Sequence, residues 1–168
     1  EALAGPQWRG KLCLRTSKKV YNQSLVATMI KARGEPKTEQ IVRGWVGNLA
    51  TDVFANDTAL LEAIAAGQCD VGIVNSYYYG RIVKERPEFP VKLFWANQGQ
   101  GGVHVNISGA GIVTTSRKPA AATRFLEWLS AGEAQAHFAA VNLEYPVNAK
   151  VAVDPVVRSW GAFEASKV

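Results

Sequence analysis

Three consecutive tyrosines, Tyr77, Tyr78 and Tyr79, follow directly after a short apolar run that ends at Asn75. A tyrosine hydroxyl is neutral at pH 7, because its reference pKa is about 10, and a neutral phenol is a poor metal ligand. A bound trivalent cation favours the deprotonated form, and hard Fe(III) matches a hard anionic oxygen. Burial in a core or an interface is the more frequent role of an aromatic triplet taken alone. The triplet therefore allows either packing or a tyrosinate metal site.

The other residue types that often carry chemistry form no recognisable motif. His104 and His137 are the only histidines, and neither has a cysteine or an acidic residue at zinc-ligand spacing. No G-x-S-x-G elbow accompanies the serines. The glycine-rich stretch 97–102 lacks the G-K-[ST] ending of a P-loop and the third glycine of a dinucleotide fingerprint. A tyrosine-dependent enzyme and a binding protein for an organic solute or a small anion remain as alternatives to a metal carrier.

Strand and helix patterns alternate around the tyrosines. Short apolar segments predict strands at 10–15 and 69–75, each followed by a helical pattern. This alternation predicts an α/β fold with a parallel-type sheet flanked by helices. Side chains beyond the carboxyl ends of such strands gather at one edge of the sheet. We therefore expect the polar loops 16–21 and 75–79 to lie together.

Apolar spacing, proline near helix starts and glycine after helix ends define the remaining elements. Helices are predicted over 21–33, from Pro36 to Leu49, from Asp57 towards Gly67, from the tyrosines to Arg86, over 119–130 and over 132–141. Further strands are predicted at 91–96 and, as two short strands, within 103–115. The stretch 97–102 is interpreted either as a hinge or crossover or as a surface loop.

The two cysteines, Cys13 and Cys69, are too far apart in sequence for a CxxC redox or zinc motif. Both lie on predicted strands. In a reducing compartment they would be buried free thiols, whereas in an oxidising compartment a disulfide between neighbouring strands is expected. Because the two strands should be neighbours, we predict the bridge.

Composition excludes several classes of protein. The chain has 168 residues, 48% apolar and 20% charged, and no apolar run approaches the ~18 residues of a membrane helix. Its net charge of +5 comes from 19 basic residues scattered along the sequence. A nucleic-acid-binding protein usually has a dense basic stripe or a named motif, so no nucleic-acid partner is expected.

Several stretches resemble the ferric-iron-binding periplasmic proteins of bacterial ABC importers. These are two-lobed solute-binding proteins of the class II periplasmic-binding-protein type, with a transferrin-like tyrosinate iron site. The stretches that carry the resemblance are Leu14–Ser24, Asn56–Thr58, Glu62–Gly67 and Asp70–Tyr79. The similarity extends from about Gln7 to Trp160, and the tyrosine pair after the strand is its most specific signal.

The resemblance implies a set of site residues. The paired tyrosines of the family fall on Tyr77 and Tyr78, and the third tyrosine of its three-tyrosine subgroup falls on Tyr21. These would hold Fe(3+), whereas Tyr79 is expected to pack. A synergistic anion such as carbonate or phosphate would be bound by Ser17, Asn56 and Asn75, for which loop or helix-cap roles are equally open.

The resemblance also implies the surroundings of the site. Residues 1–102 would form the C-terminal lobe, 103–150 a crossover segment that packs on an N-terminal lobe of the same protein, and 151–168 a tail or helix. The protein would work in the periplasm, deliver iron to an inner-membrane ABC permease and catalyse no reaction. Apolar surface left open on an isolated lobe could drive dimerisation.

Overall fold

The computed structural model describes residues 1–167 and groups the chain into two compact units. The first unit holds Glu1–Asn106 together with the C-terminal residues from Phe163 onward, and the second holds Ile107–Ala162. The predicted segments 1–102, 103–150 and 151–168 differ from these units, because the chain from Phe163 returns to the first unit. Whether residues 103–150 pack on another lobe stays a prediction.

The order of elements follows the predicted alternation. The first unit contains strands β1 (Leu12–Leu14) and β2 (Val71–Ile73) and helices α1 (Val20–Arg33), α2 (Glu35–Gly47), α3 (Asp57–Ala65) and α4 (Ser76–Glu85). The second unit contains helices α5 (Pro119–Ser130), α6 (Gly132–Asn142) and the short α7 (Pro155–Arg158). Two 3-10 turns, Ala2–Ala4 and Pro6–Trp8, precede β1. All helices predicted from apolar spacing are confirmed, within a residue or two at their ends.

β1 and β2 pair in parallel and form the centre of the first unit. Leu12 lies opposite Val71, and Leu14 lies opposite Ile73. Gly72 lies against α3, where an added Cβ would clash with a Leu60 methyl group, so a larger residue would force Leu60 to shift. A parallel connection requires a crossover of the kind that α1 to α3 supply.

Local signals explain where the helices begin and end. Gly34 follows α1 with φ +79°, a conformation that favours glycine, and its N–H donates to the Ile30 carbonyl. The Asn56 side chain accepts a hydrogen bond of 2.7 Å from the Ala59 N–H and so caps α3. Helix α2 packs its buried Ile41 and Trp45 with Leu12 of β1. These contacts fix α1 to α3 around the sheet.

The predicted disulfide is confirmed. Cys13 and Cys69 are bonded, with their Cα atoms 5.9 Å apart and 56 positions apart in sequence. Both cysteines belong to a buried cluster with Leu60 and Ala63. The bridge therefore joins β1 to the residues that lead into β2.

The strands predicted at 91–96 and within 103–115 are wrong. Among the described residues, Val103 alone in these stretches has a β-type partner, an isolated parallel bridge to Ala165. A strand exists only where a neighbouring chain takes up its hydrogen bonds, and an apolar pattern does not supply that neighbour. Phe94 and Ile107 are 86% and 76% exposed, which a core strand would not permit. The fold class, α/β with a parallel sheet, is nevertheless confirmed, with a smaller sheet than expected.

The glycine-rich stretch forms a tight turn. Asn97, Gly99, Gly101 and Gly102 all have positive φ. The Glu164 N–H donates to the Gln98 side-chain oxygen at 2.6 Å, and the Val103 N–H donates to the Glu164 carbonyl at 2.8 Å. The C-terminal segment thus holds this turn within the first unit.

The second unit consists of packed helices. α5 packs against α6, and α6 ends at the buried Leu143, which has φ +59°. Asp154 caps α7 by accepting a hydrogen bond from the Val156 N–H at 2.8 Å. Over residues 1–167, no helix is both long and apolar enough to cross a membrane.

Candidate metal centre

The candidate tyrosines lie in two strand-to-helix turns at the same edge of the sheet. β2 ends at Ile73, and Tyr77 and Tyr78 occupy the first turn of α4. β1 ends at Leu14, and Tyr21 occupies the first turn of α1. Because β1 and β2 are parallel and adjacent, their carboxyl ends coincide. The predicted convergence of the two loops is therefore observed.

Tyr77 and Tyr78 form a compact, half-buried pair. Their ring centroids lie 4.4 Å apart with an interplanar angle of 35°. The Asn75 side-chain amide donates to the Tyr77 hydroxyl at 3.3 Å. The Arg81 guanidinium lies over both rings, 5.2 Å from the Tyr77 centroid and 5.6 Å from that of Tyr78. Arg81 lies one turn further along the same helix, and a cation over the ring faces is favourable.

Tyr21 is held in a different way. Its hydroxyl donates to Oδ2 of Asp57 at 2.6 Å, and the same oxygen accepts a hydrogen bond from Nε of Arg15 at 2.8 Å. Arg15 also donates to the Phe54 carbonyl at 3.0 Å. Asp57 is 0% exposed and Arg15 is 7% exposed. The third candidate ligand is therefore hydrogen-bonded to a buried ion pair.

Arg15 and Asp57 are site residues that the sequence did not reveal. Arg15 follows β1 and Asp57 begins α3. The two residues are 42 positions apart in the chain. The available signal was weak: a charged residue at the end of an apolar strand, and a carboxylate at a helix start, where Asp is common for capping reasons alone. Nothing in the sequence indicated that the two pair in a buried position.

The pKa values of the tyrosines indicate that the hydroxyls interact. Burial, followed by hydrogen bonding to Tyr78, raises the pKa of Tyr77 to about 12. Burial, followed by the hydrogen bond to Asp57, raises the pKa of Tyr21 well above its usual value, and the charge of Tyr78 adds to this shift. The pKa shifts of Tyr21 and Tyr77 thus both include a contribution from Tyr78. Without a cation, Tyr21 and Tyr77 are neutral at physiological pH.

The residues predicted to bind an anion have other partners. Asn56 is exposed, and its side-chain oxygen caps α3. Ser17 is exposed, and its carbonyl accepts a hydrogen bond from the Gln23 side chain at 3.2 Å. Asn75 alone of the predicted set contacts a candidate ligand, Tyr77. An anion-binding role for these residues stays a prediction.

Tyr79 packs on a buried cluster that contains Leu61, Ile82 and Phe89, and Tyr78 packs on the same cluster. That packing is the whole role of Tyr79 stays a prediction. Within residues 1–167, no group of three or more His, Cys, Asp or Glu side chains could hold a metal ion.

Comparison with known proteins places the chain in a family. The model of the family described as "Bacterial extracellular solute-binding protein" matches residues 46–136. The chain belongs to this solute-binding family.

Similar proteins of this family carry names related to iron. The chain is 48% identical to Iron uptake protein A2 of Synechocystis over 169 residues, which cover 96% of this chain and 49% of that protein. The structure of apo FutA2 from Synechocystis has a TM-score of 0.92 and 46% identity, and the match covers 99% of this chain and 55% of that one. A Trichodesmium FutA structure, described as a complex with iron and citrate ligands, has a TM-score of 0.91 and 40% identity, with 98% and 54% covered.

The two solved structures share the fold of this chain over 98–99% of its length. The chain spans about half the length of the relatives it matches. The two strand-to-helix turns with their tyrosines therefore belong to a fold that occurs in proteins named for iron uptake and ferric-iron binding.

Proposed function

We propose that this chain binds Fe(III) through the phenolate oxygens of Tyr21, Tyr77 and Tyr78. The observation that carries the proposal is the convergence of three tyrosines, in two strand-to-helix turns, at the same edge of the parallel sheet. Three phenolates carry three negative charges, which balance a trivalent cation. Fe(III) prefers such hard anionic oxygens.

The electrostatics of the site favour a highly charged cation. The raised pKa values of Tyr21 and Tyr77 mean that these two hydroxyls keep their protons in the absence of metal. The charge of the ion must therefore displace those protons. A trivalent ion does so more effectively than a divalent one, since the attraction between a charge and a phenolate scales with the charge.

Relatives of similar sequence support a proposal for the surroundings in which the site works. Proteins that match this chain are named as an Fe(3+)-binding periplasmic protein in Serratia marcescens and as major ferric iron-binding proteins in Neisseria. We infer a periplasmic solute-binding role, with delivery of Fe(III) to an inner-membrane ABC permease and no catalysis. A second lobe of the same protein would close the cleft over the tyrosines and add further ligands.

A synergistic anion is part of the proposal in a restricted form. The Trichodesmium relative is described with iron and citrate. Asn75 is the best placed of the predicted anion-binding residues, because it already contacts Tyr77. Carbonate, phosphate or a carboxylate would bind beside the phenolates and complete the coordination of iron.

Colour provides the test. Charge transfer from tyrosinate to Fe(III) gives a visible absorption band, whereas a complex with a sugar, an amino acid or phosphate is colourless. The chain should develop this band when titrated with ferric nitrilotriacetate at neutral pH. The band should disappear steeply on acidification, because each phenolate binds a proton when it releases iron. A colourless chain, or iron binding that is independent of pH from acidic to neutral values, would contradict the proposal.

A further inference from the structure

The Arg15–Asp57 ion pair contacts Tyr21 at a point where three elements of the fold meet. Arg15 directly follows β1, Asp57 begins α3 and Tyr21 lies in the first turn of α1. One oxygen of Asp57 accepts hydrogen bonds from both Arg15 and Tyr21, at 2.8 and 2.6 Å. The carboxylate therefore joins three elements at the edge of the sheet where the tyrosines converge.

The hydrogen bond from Tyr21 satisfies a group that has few other partners. Asp57 is fully buried, and its second oxygen, Oδ1, has no hydrogen-bond partner among residues 1–167. A buried carboxylate is stable only when its charge is paired and its oxygens accept hydrogen bonds. Tyr21 and Arg15 supply this stabilisation through Oδ2 alone, so the bond from Tyr21 is a strong, charge-assisted one.

A metal-bound phenolate cannot make this bond. When Tyr21 coordinates a cation, its O–H bond breaks, a metal–oxygen bond forms and the proton passes to solvent. The Tyr21 oxygen then has no hydrogen to donate to Asp57. Iron binding and the Tyr21–Asp57 hydrogen bond are therefore mutually exclusive states of the same hydroxyl.

We propose that the Arg15–Asp57 pair is a latch that holds Tyr21 in the iron-free protein and competes with the metal for it. The inference rests on the proposed iron site. Among residues 1–167, neither Tyr77 nor Tyr78 donates a hydrogen bond to a carboxylate, so the turn that carries this pair, called the ready turn, breaks no such bond when it binds a cation. Tyr21 joins only when the cation attracts its oxygen more strongly than Asp57 attracts its hydrogen.

The test is a double-mutant cycle on iron affinity. One arm replaces the pair by apolar residues of similar size, Arg15→Met with Asp57→Leu, which leaves the net charge unchanged. Such replacement of a buried ion pair is often neutral or stabilising. The other arm is Tyr21→Phe. Affinity for ferric nitrilotriacetate is measured in the 168-residue chain for the unsubstituted protein, each arm and their combination.

The latch predicts a rise in affinity that depends on Tyr21. Removing the pair should raise the ferric affinity about tenfold to a hundredfold, the factor expected from loss of a hydrogen bond to a charged group. In the Tyr21→Phe background the same replacement should leave the affinity unchanged. A matched control, Arg43→Met with Glu39→Leu, removes an exposed ion pair from α2 and should change neither value.

Each other outcome counts against the latch. An affinity that falls or stays constant when the pair is removed overturns it, as does a rise that persists with Tyr21→Phe. If the apolar variant does not fold by near-UV circular dichroism, the amide pair Arg15→Gln with Asp57→Asn is used instead, and a Tyr21-dependent rise is still expected. A colourless unsubstituted chain would overturn the iron site itself, and the latch with it.

Discussion

The two turns that carry the tyrosines hold the tyrosine hydroxyl groups by different hydrogen bonds. In the turn after β2, Tyr77 receives a hydrogen bond from Asn75, and Arg81 lies over the rings of the pair. In the turn after β1, the Tyr21 hydroxyl donates a hydrogen bond to the buried carboxylate of Asp57. The hydrogen bond from Asn75 lowers the pKa of Tyr77, but burial and the hydrogen bond with Tyr78 outweigh it, so that this pKa is raised to about 12. At Tyr21, donation to the carboxylate adds to the effect of burial and raises the pKa as well. The two turns therefore differ in the hydrogen-bond partner that each phenol must give up when it becomes a ligand.

Replacing both tyrosines of the ready turn should have the largest effect. Tyr77→Phe with Tyr78→Phe removes two of the three charge-transfer donors, so the visible band should be abolished after ferric loading while the far-UV circular dichroism is retained. Tyr79→Phe is the matched control, because Tyr79 packs on the neighbouring cluster, and it should keep the band. A coloured double variant would exclude the pair as ligands.

The disulfide is the covalent link between the strands that lead into the two turns. Removing it, by Cys13→Ala with Cys69→Ala, should cost about 2–5 kcal/mol in the free energy of unfolding and should weaken iron binding by loosening both turns. Thermal unfolding and ferric titration measure the two effects. Thiol titration of the unreduced, denatured chain should find no free thiol. Two titratable thiols would show that the strands are not bridged in solution.

Much of the fold and of the candidate site could be predicted from the sequence. The pair Tyr77–Tyr78 is placed by an apolar strand followed by a helix, and the strand order is set by parallel crossover connections, so convergence of the two loops could be predicted. The helices were predictable because caps such as Asn56 and Gly34 are local signals. The bridge between Cys13 and Cys69 followed from the same strand pairing.

The remaining features depend on contacts that no local pattern records. The Arg15–Asp57 pair forms between residues that are distant in sequence, and each of them alone is unremarkable in type and position. Residues 91–96 have the apolar pattern of a strand but pair with no strand among residues 1–167, and Val103 has a single bridge partner, Ala165 of the C-terminal segment. Pairing partners, unlike propensities, are a property of the folded chain.

Alkaline unfolding provides a smaller, metal-free test of the ready turn. In the folded chain the pKa of Tyr77 is about 12, above the value of about 10 in the unfolded chain. The neutral hydroxyl therefore stabilises the fold fully below pH ~10, and this stability is lost as the pH rises from about 10 through about 12. Denaturant titrations across this range should show the decline in the iron-free chain, and Tyr77→Phe should make it shallower. An identical decline in both proteins would refute the shifted pKa.

The smallest expected effect separates the two roles open to Asn56. Asn56→Ala removes the side chain that caps α3, which should cost about 1 kcal/mol in the free energy of unfolding. If capping is its whole role, ferric affinity should stay the same whether carbonate, phosphate or neither is present. Asp154→Ala removes the cap of α7 in the second unit and is the control for cap loss alone. An Asn56→Ala variant in which the anion no longer enhances ferric affinity, while the Asp154→Ala control keeps that enhancement, would instead assign Asn56 to the anion. The start of α3 would then be a third part of the site, in which Asp57 accepts a hydrogen bond from Tyr21 and Asn56 binds the anion.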